Sequence, residues 1–184
     1  VLTQKMHSAP DFSQGPVQHT GSPFDFALDG QGFFKVQTQN GVRYTRDGAL
    51  GLDKENTLVN RNGDSILGDK GPIRIEGTEV SVGTDGQIHV DGVPLDRISV
   101  VDFKDPRLLL KEGASYYVDP GKAEELPRPE RTSLHQGYLE ESNVDLTEEM
   151  IRMVEAFRAF EAMQKGIQSI DEMTGKLIND PGLF

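Results

Sequence analysis

The chain carries 30 Asp and Glu residues, four His and no Cys. Two carboxylates at the right separation can serve as acid and base on a glycosidic bond. Asp29, Asp47, Asp85 and Asp91, however, each stand directly before a glycine. Asp-Gly already has a backbone reason to exist, because it makes tight turns. No motif singles out any other pair. The stretch "GTDGQIHVDG" places Asp85 and Asp91 in a glycine-rich setting that could suit calcium. It lacks the Asp-x-Asp-x-Asp-Gly order and the distal Glu of a calcium loop. His7, His19, His89 and His135 do not fall at the i, i+4 spacing of a zinc helix. There is no Gly-x-Ser-x-Gly for a serine nucleophile, and without Cys there is no thiolate. Gly30-Gln31-Gly32 resembles half of a phosphate-binding loop. The third glycine position is Lys35, and the stretch runs into a strand where that chemistry needs a helix N-terminus. Phe33, Phe34 and Tyr44 could stack on a sugar, but aromatics in a β domain without Trp are more often core. The expectation is no enzyme, with no catalytic, cofactor or metal site.

The elements that carry these residues are strands and turns. In "GSPFDFALDGQGFF", Phe24, Phe26 and Leu28 share one face of an extended chain, with Asp25, Ala27 and Asp29 opposite. Phe34 and Val36 resume an apolar face after the Asp29–Gly32 turn, so the stretch reads as a β-hairpin. Similar turns recur at Asn40-Gly41, Asp47-Gly48, Asn62-Gly63, Asp85-Gly86 and Asp91-Gly92. Short apolar runs between frequent turns indicate a mainly β fold, an irregular antiparallel sandwich or barrel.

From Val144 the texture changes. Met153, Ala156, Phe160, Met163, Ile167, Ile170 and Leu177 recur at three- and four-residue steps. This is the helical period, and it defines an apolar stripe along one long C-terminal α-helix. Asn143 or Asp145 can cap its start, and Glu148 and Glu149 suit the positive end of its dipole. The stripe calls for a helical partner. The organisation reads as an incoming segment with a short strand (1–23), a β domain (24–119), a Pro-rich charged linker (120–133), a return strand (134–143) and the helix (144–179).

The chain has 184 residues, 35% of them hydrophobic, with a net charge of −11, and its mean hydropathy is −0.48 with a pI near 4.8. Such acidity argues against non-specific binding to nucleic acid or an anionic membrane. The absence of Cys suits a protein that crosses a membrane unfolded. No stretch approaches the roughly 18 apolar residues of a membrane span. The N-terminus lacks the apolar segment of a signal peptide. It does not begin with Met, and the chain reads as a fragment.

The stretches 11–36, 44–50 and 136–144, with the helix that follows, together resemble the bacterial flagellar rod and hook proteins, over nearly the whole chain. "DFSQGPVQHTGSPFDFALDGQGFFKV" is similar to that family's opening element, including Gly32, Phe33 and Phe34. "YTRDGAL" supplies Tyr44, Arg46 and Gly48. "QGYLEESNV", with Gly137, Ser142, Asn143 and Val144, followed by "RAFE" in the helix, resembles the family's C-terminal signature. Within the family, the compact 66–90 span and the ending "GKLIND" resemble a proximal rod protein more than a distal rod or hook protein.

The resemblance implies a structural subunit of the basal-body rod that polymerises into a torque-transmitting shaft. Its partners would be further copies, other rod and hook axial proteins, and the flagellar type III export apparatus. Export would need no cleaved signal, and no nucleic acid or small-molecule substrate is implied. An N-terminal helix that pairs with the C-terminal one in the family is missing from this sequence. The segments entering and leaving the β domain, Val17–Thr20 and Leu134–Leu139, are expected to pair antiparallel. A cell-wall hydrolase, a carbohydrate-binding module and a secreted adhesin are the rivals from other classes.

Overall fold

The computed structural model describes residues 11–179, with side chains through residue 175. The chain divides into two compact units at Asn143/Val144.

The first unit is built of short strands: β1 (Val17–His19), β2 (Phe26–Asp29), β3 (Phe33–Thr38), β4 (Gly41–Thr45), β5 (Leu50–Leu52), β6 (Leu58–Asn60), β7 (Ser65–Gly68), β8 (Gly71–Pro72) and β9 (Val80–Val82). It continues with β10 (Gln87–Val90), β11 (Val93–Arg97), β12 (Val100–Phe103), β13 (Leu110–Glu112), β14 (Tyr116–Val118), β15 (Glu125–Pro127), β16 (Ser133–Gln136) and β17 (Tyr138–Glu140). All named strand pairs are antiparallel, as frequent short turns require. The largest sheet runs β13-β14-β4-β3-β7-β6-β5, with β12 also on β3. A three-stranded sheet β11-β10-β9 and two ribbons, β1-β17 and β2-β16, complete the unit. The fold is mainly β with open antiparallel sheets, and the barrel alternative is set aside because no sheet closes.

β3 organises the core because both its faces are buried. Phe34 and Val36 enter a cluster with Phe26, Leu28, Ile66, Ile88 and Leu134. Phe33, one residue away and therefore on the opposite face, joins Tyr44, Val101, Phe103 and Leu109. The expected hairpin over 24–36 does not form: β2 pairs with β16 and β3 with β4, β7 and β12. The 29–32 turn joins two sheets, and its carbonyls bond a side chain elsewhere, as described below. The Pro-rich 120–133 stretch contains β15, paired on β12. Pro127 is tolerated there because β15 is an edge strand.

The expected pairing of the chain's two crossing points is present, displaced along the sequence. Val17–His19 pairs antiparallel with Tyr138–Glu140. Residues 134–136, the first half of the expected partner, pair with β2 instead, as part of β16. Gly137, at φ +80°, lies between the two ribbons and supplies a conformation that a side-chain-bearing residue rarely adopts.

The second unit is one helix, α1 (Leu146–Asn179). Its 34 residues span about 50 Å. Asp145 caps it, accepting from the Thr147 N–H at 2.8 Å and the Glu148 N–H at 3.3 Å. These backbone donors hold the Asp145 carboxyl below its usual pKa. Arg152 pairs with Glu148 and Glu149 on the first turns.

Candidate functional site

Gly32, Arg46, Gly137 and Asn143 of the motif converge where the chain enters and leaves the β unit, whereas Phe34 lies in the main core. The centre is Arg46, just after β4. Its Nε and Nη2 donate to Glu140 Oε2 at 3.0 and 2.7 Å. Its Nη1 donates to the carbonyls of Gly30 and Gly32 at 3.1 and 3.0 Å, and Nη2 also reaches Gly30 O at 3.2 Å. The five N–H donors of the guanidinium thus have five acceptor contacts. Arg46 and Glu140 side chains are only 16% and 10% exposed. A buried pair is tolerable when further hydrogen bonds satisfy both ions.

Glu140 passes the connection on, since its Oε1 accepts the Gly15 N–H at 3.0 Å. Gln14 accepts from the Gly30 N–H at 3.0 Å and donates to Leu28 O at 3.1 Å. Asn143 Nδ2 donates to Ser13 O and Ser13 Oγ at 3.1 and 2.9 Å. Asn143 therefore holds the incoming segment, while Asp145 takes the capping role. The β1-β17 ribbon is extended by Glu141 N–H to Pro16 O at 2.9 Å and by Thr20 N–H to Gly137 O at 2.8 Å. Residues 13–20 and 137–143 form one continuous two-chain neck.

Glycines permit these close approaches. A Cβ on Gly15 would stand 1.9 Å from Glu141 O, and one on Gly48 1.7 Å from Phe26 O. Gly32 has φ +137° and a Cβ there would lie 3.0 Å from Val100 Cγ1. The glycines of the 30–32 turn thus serve chain crossing, with their carbonyls aimed at Arg46. This is the opposite polarity from a phosphate cradle, which presents N–H groups.

An aromatic group packs behind the pair. Phe12 lies edge-on to Phe33 at 5.5 Å and near Tyr117 at 5.1 Å between ring centroids. Tyr44 lies edge-on to Phe103 at 4.8 Å and donates its hydroxyl to Glu125 Oε2 at 2.8 Å. Lys35 holds the other oxygen of Glu125 at 2.9 Å, so the two residues pin β15. Burial first, then Glu125, raises the Tyr44 phenol pKa well above its ordinary value. Phe33, Phe34 and Tyr44 are core residues, with no open stacking face for a sugar. A cleft of about 240 Å³ opens beside Arg46, lined by Asp11, Phe12, Tyr117, Glu141 and Asn143 among others.

Three of the four turn aspartates are engaged with backbone, and Asp29 lies 3.8 Å from His135 Nε2. Asp47 accepts from Ala49 N–H, Asp85 from Gln87 N–H, and Asp91 from Thr78 and Glu79 N–H. Among the described residues, no three His, Asp or Glu side chains gather as a metal site requires.

On α1, Met153, Ala156, Phe160, Met163, Ile167 and Ile170 are exposed, whereas the Leu177 side chain lies outside the described residues. Leu146, Met150, Val154, Phe157 and Met173 are exposed too. They extend the same three- and four-residue spacing, which the sequence reading stopped short of following. Sequence reasoning also missed Glu140, Gln14 and Gln136. Gln136 accepts from Val82 N–H at 3.0 Å and donates to Pro23 O and Val80 O at 2.8 and 3.1 Å, tying the three-stranded sheet to the neck. No local signal marks such partners, because they lie 14 to 125 residues apart.

Comparison with known proteins places this sequence among named relatives. The family model described as flagellar basal body rod FlgEFG protein C-terminal matches residues 135–180. That described as flagellar hook protein FlgE/F/G D1 domain matches residues 27–90. The chain is 34% identical to the flagellar basal-body rod protein FlgF of Caulobacter vibrioides, over 95% of this chain and 72% of the relative. It is 35% identical to the flagellar basal-body rod protein FlgG of Bacillus subtilis, over 91% and 69%. The B. subtilis flagellar hook-basal body complex protein FlhO is 33% identical, over 94% and 70%. Proteins named FlgF and FlgG stand at the same level of identity, so likeness does not favour the proximal type over the distal.

Proposed function

We propose, for a chain that belongs to the flagellar basal-body rod protein family and is a structural subunit of the rod, that α1 is its assembly element. The exposed apolar stripe on α1 carries this reading. An isolated helix is marginal in water unless its apolar face is covered. Met153, Phe160, Met163, Ile167 and Ile170 are each more than half exposed. Burying each is worth about 1.5–3 kcal/mol before the costs of association. The partners are helices of further copies and of other axial subunits, packed side by side into a shaft. Head-to-tail contacts that do not close give a helical polymer, and such a polymer transmits torque along its axis. The subunit reaches the rod through the flagellar export apparatus.

The double substitution Phe160→Glu and Ile167→Glu in the full-length protein tests this. The expected result is loss of the subunit from purified basal bodies, with unfolding of the β unit unchanged. Normal incorporation would overturn the assignment of the stripe.

A further inference from the structure

We infer that Arg46 is a positioning residue for the rod subunit: it locks the neck, so that the β unit and the two chain segments serving it move as one body. The inference rests on the rod reading for its purpose and on the hydrogen-bond geometry for its content.

Three separate pieces of chain meet on one guanidinium. The 30–32 turn is held through two carbonyls and the outgoing strand β17 through Glu140. The incoming segment is held through the other oxygen of the same carboxylate, by the Gly15 N–H. No two of these pieces are neighbours in sequence except through the domain itself. Arg46 is thus a bridge from the sheet to both chain crossings at once. Without it, the neck keeps its own ladder and the contacts of Gln14 and Asn143, but loses the charged tie to the turn. A two-stranded ribbon is marginal alone and would then twist about its axis.

Lysine cannot substitute. It preserves the charge but presents three donors on one flexible nitrogen, where the site uses a planar fork to reach two carbonyls and one carboxylate oxygen. The burial of both side chains also keeps the pair from being screened as a surface ion pair would be. This matters mechanically, because a subunit under load must pass twist through its neck without swivelling.

The test uses the full-length protein, with Arg46→Lys and the milder Glu140→Gln. Glu140→Gln keeps an acceptor for Gly15 and removes the charge. Hydrogen exchange is followed at Gly15, Gln18 and Glu141 in the neck and at Ile66 in the core, alongside the unfolding temperature. The expected result is exchange at least tenfold faster in the neck for Arg46→Lys, smaller for Glu140→Gln, with Ile66 unchanged. In cells, flagella should be assembled in normal number but drive slower swimming in viscous medium. Equal acceleration in neck and core would make Arg46 a fold residue only and overturn the inference. Unchanged neck exchange would overturn it as well, as would normal swimming at high load. Absence of even the wild-type subunit from basal bodies would refute the rod reading instead, leaving the exchange result to judge the lock.

Discussion

Gly48→Ala should be among the most damaging single-methyl additions to this protein. The added Cβ would lie 1.7 Å from the Phe26 carbonyl oxygen and 2.8 Å from its carbon. Both are backbone atoms, so no side-chain rotation relieves the clash. β2 must move away, and the Phe26 N–H to Gly48 O bond at 2.9 Å would go with it. The neighbouring Leu50 N–H to Phe24 O bond at 3.1 Å would be strained. Phe26 itself is 1% exposed in the main core and would be displaced. Overpacking strain of about 1–3 kcal/mol plus about 1 kcal/mol for the lost hydrogen bond gives about 3 kcal/mol. For a unit of this size that lowers Tm by roughly 10 °C. Gly51→Ala is the matched control, because its Cβ would meet nothing within 4 Å. Thermal unfolding of both variants, followed by near-UV circular dichroism, decides the matter. A Gly48→Ala protein within 2 °C of Gly51→Ala would refute the close-approach argument.

The register of the neck makes Gln18→Pro a second test. Thr20 and Glu141 donate to Gly137 and Pro16, so the bonded pairs alternate and Gln18, opposite Leu139, falls on one of them. Proline there should remove that donor and speed exchange at Glu141, while Ile66 exchange stays slow. At alkaline pH the sign follows from Tyr44, whose phenol is raised above its unfolded value near 10 by burial and by Glu125. Its contribution is fully present below pH 10 and is lost as pH rises further, because the folded state resists deprotonation. Tyr44→Phe should therefore flatten the alkaline loss of stability, and an unchanged slope in urea titrations above pH 10 would count against the assigned cause.

The sequence was most legible where signals are local. Asp-Gly and Asn-Gly turns, two-residue alternation and the three- and four-residue recurrence from Met153 onward each need only a few neighbouring residues to be read. They led to a β unit and a long helix. Partnership was less legible. The Asp29–Gly32 turn looks like a hairpin because its backbone preferences are those of a reversal. What β2 pairs with is decided by Leu134, more than 100 residues on, whose side chain is buried in the same cluster as Leu28. The 120–133 stretch looks like a linker because prolines and charges dominate it. It holds a strand paired on β12, and the side chain of Glu125 in that strand is taken by both Lys35 and Tyr44.

The neck shows why motif residues could be picked out before their work could. Arg46, Gly48, Gly137 and Asn143 are recognisable by resemblance, but their roles are reciprocal. Arg46 spends two of its five donor contacts on Glu140, and Gly48 needs to be small because Phe26 O passes beside it. Asn143 looks like a helix cap from its position, yet its amide is committed to Ser13, 130 residues earlier. Asp145, two residues nearer the helix, caps instead. Placing the cap after the clamp has a mechanical consequence. The chain is fastened to its own incoming segment at Asn143 before the helix begins, so whatever orientation the neck has is fixed ahead of the first helical turn. On the proposed reading, in which the helix is the assembly element, the fastening belongs at that junction. The residues that provide it are polar side chains bonded to backbone, not apolar packing, and hydropathy patterns do not report them.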